Sequence, residues 1–152
     1  MSMRNKRRGS ILLDALIALF IVGMGAVAFY GLLPVISRSH EIAQQESKAG
    51  QMVARVSEEF GMLKPNEVNL DTLTKLNLID PNQGAQPWSF SHIPLDDGTG
   101  YSPAKILRNG TGTITTSNIA NGSILIKINL TWKSPTGRAR SLTTGTVVGG
   151  YR

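Results

Sequence analysis

From Ser10 to Ile36 the chain is apolar except for one acid, Asp14. A helix needs about 20 mostly apolar residues to cross the hydrocarbon core of a bilayer, and this run is long enough. The acid is out of place there. On insertion scales a carboxylate costs roughly 2.5 to 3.5 kcal/mol at the centre of such a helix and less near an end, so Asp14 calls for a partner and marks a functional position.

After Ile36 the pattern turns amphipathic. Ile42, Ala49, Val53, Val56 and Phe60 recur at helical spacing, and Glu41, Gln44, Lys48, Gln51 and Arg55 fall on other faces. This predicts one continuing helix from about Ser10 to about Met62, on the order of 80 Å long at 1.5 Å per residue. Its first half would lie in lipid and its second half outside. Gly23, Gly25, Gly31 and Pro34 fall near the junction of the halves, where they predict an interruption by bending or local melting as well as close backbone approach.

Five prolines between Lys64 and Pro103 forbid long regular elements and predict a connecting region. A short helix over Asn69 to Leu78, capped by Asn69 or Asp71, is its one regular piece. Beyond it the period changes to two. Ile124, Ile126, Ile128, Leu130 and Trp132 alternate with Leu125, Lys127, Asn129, Thr131 and Lys133, which gives a strand one dry and one largely wet face. Turn signals at Asn121-Gly122 and at Ser134-Pro135-Thr136-Gly137 flank it. Strands over Gly112 to Ser117, Ser123 to Lys133 and Ala139 to Val148 then form an antiparallel meander. Its dry face needs a cover, and the helical stripe is the available one. The expected fold class is therefore α+β, a long N-terminal helix packed on a small antiparallel C-terminal sheet.

Charge changes the picture at the N-terminus. The formal net charge is +6, but four of the 16 Lys and Arg lie in residues 1–9 and none of the 10 acids do, which leaves +2 for the rest. The basicity is mainly a topology signal, with the leader held in the cytoplasm, and no specific nucleic acid is expected as a partner. There is no cysteine, so no disulfide can staple an exported domain. About 115 residues follow the apolar run, enough for one small domain. Asp96-Asp97-Gly98-Thr99-Gly100 offers oxygen ligands for calcium but lacks the further acids of a calcium loop, so a solvated turn is expected there. His40 and His92 stand at no telling distance from a nucleophile or acid in the sequence. They suggest no catalytic constellation, and neither enzyme activity, a metal nor a cofactor is expected.

The junction itself, Arg7-Arg8-Gly9 followed by Ser10-Ile11-Leu12-Leu13-Asp14-Ala15-Leu16-Ile17-Ala18-Leu19, resembles the prepilin leader and helix start of type IV pilins and type II secretion pseudopilins. Most of those families carry Phe where Ser10 stands and Glu where Asp14 stands. The strand, Trp132, turn and Thr-rich final strand are similar in layout to the ends of minor pilins and minor pseudopilins. The resemblance implies a leader at 1–9, a transmembrane and filament-core half-helix at 10–36, and an exported domain at 37–152. It further implies prepilin peptidase cleavage between Gly9 and Ser10, N-methylation of Ser10, and subunit assembly through Asp14. The implied partners are other pilin or pseudopilin subunits, an inner-membrane assembly platform and the lipid bilayer. The implied location is a single-pass inner-membrane protein that enters a pilus or a periplasmic pseudopilus. A different class of function fits the same stretch. A secretory signal cut in Ala26-Val27-Ala28, before Phe29, or a plain membrane anchor would leave an extracytoplasmic binding domain. Neither gives the acid a purpose.

Overall fold

A computed structural model describes residues 4–93 and 102–149. Helix α1 runs from Arg4 to Gly61, and short helices α2 (Leu70–Lys75) and α3 (Pro103–Ile106) follow it. Strands β1 (Trp88–Ser89), β2 (Thr111–Asn118), β3 (Ile124–Lys133) and β4 (Ala139–Val148) form one antiparallel sheet in the order β1-β2-β3-β4. The chain divides after His40 into two units, 1–40 and 41–152.

In the second unit the dry stripe of α1 covers the sheet. Ala49, Met52, Val53, Val56 and Phe60 are buried together with Ile114, Ile126, Ile128, Leu130 and Trp132. Ile42, the first member of the expected stripe, is only half-buried, and Met52 joins the core three residues after Ala49. The sheet register matches the alternation read from β3. Ile128 faces Ile114 on one side and Thr144 on the other, and Leu130 faces Gly112 and Leu142.

Four features depart from the sequence reading. First, α1 continues through Pro34. Proline removes one backbone donor, whereas melting would release the groups of several turns, so the helix keeps its remaining bonds. Second, α1 begins at Arg4 rather than Ser10, because Arg and Lys are good helix formers and a single glycine at position 9 costs only about 1 kcal/mol. Third, α2 stops at Lys75. Asn77 adopts a left-handed φ of 54°, and Leu78 N–H closes back on Leu73 O at 2.9 Å, a C-cap that asparagine tolerates. At the other end Asn69 Oδ1 accepts from Thr72 N at 2.9 Å, so Asn69 and not Asp71 is the cap.

The fourth departure is the largest. The Pro-rich segment is a packing layer, not a bare connection. Leu73, Ile79, Trp88, Phe90 and Ile93 are buried, and β1 adds a fourth strand on the β2 edge. Phe90 lies directly over Gly112 of β2, where an added Cβ would clash with the Phe90 ring at Cζ. Glycine is the residue that lets this ring reach the sheet.

Candidate functional site

The sequence-predicted site lies in the first unit. Gly9, Ser10 and Asp14 all belong to the α1 backbone, and Ser10 and Asp14 stand four residues apart, one turn along the same face. From Ile11 to Ser39 every residue is exposed. The most apolar 18-residue window has a mean hydropathy of 2.5, and none of it is buried, so this helix is long and apolar enough to cross a membrane. Leu19, Val27 and Tyr30 each keep more than 70% of their surface open. A helix like this is satisfied by lipid tails or other helices, because leaving such side chains in water forfeits roughly 25 cal/mol for each Å² of apolar surface. Asp14, exposed as well, is the one charge between Ile11 and Ile36.

Gly23 leaves a notch in this surface. A shallow apolar groove lies beside it, bordered by Leu19, Phe20, Met24, Val27 and Ala28. A Cβ added at Gly23, Gly25 or Gly31 would meet nothing within 4 Å, so no described contact within the chain requires these glycines. A small residue at a helix surface, as at Gly23, permits close approach of a second helix.

In the second unit the structure brings together a polar cluster that sequence spacing did not reveal. Asp80, 8% exposed, accepts from Ser89 Oγ at 2.6 Å and from Ser91 N at 3.0 Å through Oδ2, and from His92 N at 2.9 Å through Oδ1. His92 Nδ1 lies 3.4 Å from the same carboxylate. Ser91 Oγ in turn accepts from Gly112 N at 3.0 Å and so ties the cluster to β2. Gln83 bonds the carbonyls of Asp80 and Ser89 and the amide of Ser89, while Trp88 Nε1 donates to Gly84 O. Asp, His and Ser meet here, but both the hydroxyl of Ser89 and the imidazole point at the carboxylate. A nucleophilic serine needs its hydroxyl on the imidazole instead, so the cluster reads as a staple that folds residues 80–92 against the sheet edge. The signal available in advance was Asp80-Pro81-Asn82 as a turn ahead of the Ser89-x-Ser91 pair.

His40 lies elsewhere, on α1. Asp96 and Asp97, the residues of the weighed calcium tract, lie outside the described residues. Among the described residues no three His, Cys, Asp or Glu side chains gather as a metal site would require. No family model, no curated protein and no solved structure matches the chain.

Proposed function

We propose that the chain is a structural subunit of a type IV filament system, of the minor pilin or pseudopilin kind, assembled through its N-terminal helix after leader removal. One observation carries the proposal: a basic leader ending in Gly9 abuts an exposed apolar helix whose single charge, Asp14, sits one turn after Ser10. Cleavage after Gly9 would place a free α-amino group on Ser10. In a bundle of helices staggered along their axes, that amine on one subunit neutralises Asp14 of the next, where an unpaired charge would be expensive. The Gly23 groove supports the same reading, since it gives a neighbouring helix a place to pack.

In this proposal the subunit is stored in the inner membrane with its leader in the cytoplasm and its second unit outside, processed by a prepilin peptidase, and then drawn into a pilus or pseudopilus. Its chemistry is packing and charge pairing rather than catalysis. Intact mass and N-terminal sequencing of the protein recovered from its native membrane test this directly. The expected chain begins at Ser10, with or without a methyl group. A start at Phe29 would replace the proposal with a secreted binding domain, and an uncut leader in the presence of active prepilin peptidase would reduce the segment to a plain anchor.

A further inference from the structure

The modest net charge of the chain beyond the leader conceals a segregation. Asp97 is the last acid in the sequence, so residues 98–152 hold seven Lys and Arg and no Asp or Glu. The fold then gathers several of these bases at one end of the sheet. Lys133, the last residue of β3, donates its N–H to Arg108 O at 2.8 Å, which brings the segment after α3 beside the β3–β4 turn. In that turn Ser134 N donates to Arg138 O at 2.9 Å, and Arg108 Nη1 lies 3.5 Å from Pro135 O. Arg108, Lys133 and Arg138 are all exposed there, with Lys105 three residues before Arg108.

The position of this basic corner in its unit identifies what it meets. Arg140, two residues beyond Arg138, pairs with Glu46 of α1 at 3.4 Å. Glu46 is five residues after Glu41, the first residue of the unit, which is about 8 Å along a helix. The corner therefore occupies the end of the unit where its own part of α1 begins, and the Asn121-Gly122 turn and Val148 mark the opposite end of the sheet. Among the described residues no acid pairs with Lys105, Arg108, Lys133 or Arg138; like charges side by side cost stability unless something anionic offsets them, and the surface adjoining an apolar span is a layer of lipid headgroups.

We infer that Arg108, Lys133 and Arg138, flanked by Lys105, dock on anionic lipid headgroups and hold the exported unit against the membrane before assembly. The inference rests on the proposed membrane location of the apolar helix. It adds a binding surface and a consequence: extraction of the subunit must break this electrostatic contact, so retention in the membrane depends on lipid charge and ionic strength.

The chain has no cysteine, so a single one can be labelled specifically. The exposed Thr136, inside the basic turn, takes an environment-sensitive fluorophore as Thr136→Cys, and the exposed Ser117, at the far end of β2, serves as the control as Ser117→Cys. The full chain is placed in vesicles of phosphatidylcholine alone or with about one third phosphatidylglycerol, together with a headgroup-level quencher. Quenching at position 136 is expected to rise about twofold or more with the anionic lipid and to lose that gain at about 1 M salt, where the screening length is about 3 Å. The Arg108→Gln/Lys133→Gln/Arg138→Gln variant should lose the gain, Arg108→Lys/Arg138→Lys should keep it, and the label at 117 should not respond. Flotation with both vesicle types but lipid-independent quenching at 136 would overturn the inference alone. So would a gain that the triple Gln variant retains. Failure to float with either vesicle type would remove the membrane reading and this inference together.

Discussion

A carboxylate as enclosed as Asp80 must find its donors inside the protein, and it finds them on a segment nine to twelve residues away. Hydrogen bonds to a charged group contribute about 1.5 to 3 kcal/mol, and removing the acceptor strands Ser91 N and His92 N as well. Asp80→Ala is therefore expected to destabilise the second unit by about 3 kcal/mol, with Asp80→Asn intermediate because it keeps one oxygen acceptor. Thermal melting in detergent checks the magnitude, and faster amide exchange at Ser91 and His92 than in the helix core checks the location. Gly112 offers a complementary test. Its missing Cβ makes room for the fully buried Phe90 ring, so Gly112→Ala should cost about 1 to 3 kcal/mol through overpacking. Phe90→Leu added to Gly112→Ala should recover part of that loss if the clash is the cause. Asp80 announced only a turn in the sequence, and Gly112 announced nothing. The partners of Asp80 are reached only through a loop, and a glycine in a strand reads as weakness until the ring above it is placed. That Ser10 and Asp14 lie one turn apart on a helix, by contrast, was legible, because the apolar run predicts the helix directly.

At the scale of elements, period decided what could be read. The alternation in β3 fixed its inner face, and the turn signals around it placed β4 at Ala139–Val148 as expected and β2 within one residue at each end. The stripe on α1 was legible for the same reason, although Met52 shows that a stripe is wider than its most regular members. Two-residue β1 had no period to offer, and the prolines around it concealed a layer that buries Trp88 and Phe90. The local melting expected around Gly23, Gly25, Gly31 and Pro34 followed from counting breakers without counting the bonds on either side. The stripe makes a sharp prediction. Val56→Asp places an uncompensated charge in the buried cluster that α1 shares with the sheet and should cost several kcal/mol, about enough to unfold a small domain. Ala54→Asp, exposed on the same helix, should cost only about 1 kcal/mol, from helix propensity and the nearby Glu58. Circular dichroism melts of both variants decide whether α1 covers the sheet as described. An unaltered melt for Val56→Asp would remove the helix from the core.

For the whole molecule the division after His40 separates two kinds of stability. The second unit has its own buried core, while the described side chains of the first, Ile11 to His40, are exposed to whatever surrounds them. A change at Asp14 should therefore be silent in one assay and severe in another. Asp14→Ala and Asp14→Asn should leave the melting of the second unit unchanged, because no described contact links position 14 to that core. Both should reduce incorporation into filaments when membrane levels are matched, since in the proposed assembly they leave a neighbour's amine unpaired at low dielectric, a penalty of several kcal/mol where it is fully buried. Asp14→Glu adds one methylene and keeps the charge, so it should incorporate at least as well as the parent. Subunit recovery in sheared filaments, or crosslinking to a more abundant subunit, measures the difference. Equal incorporation of Asp14→Ala and the parent would discard charge pairing as the assembly device. A lower melting point for Asp14→Ala would instead show that the acid works inside its own subunit.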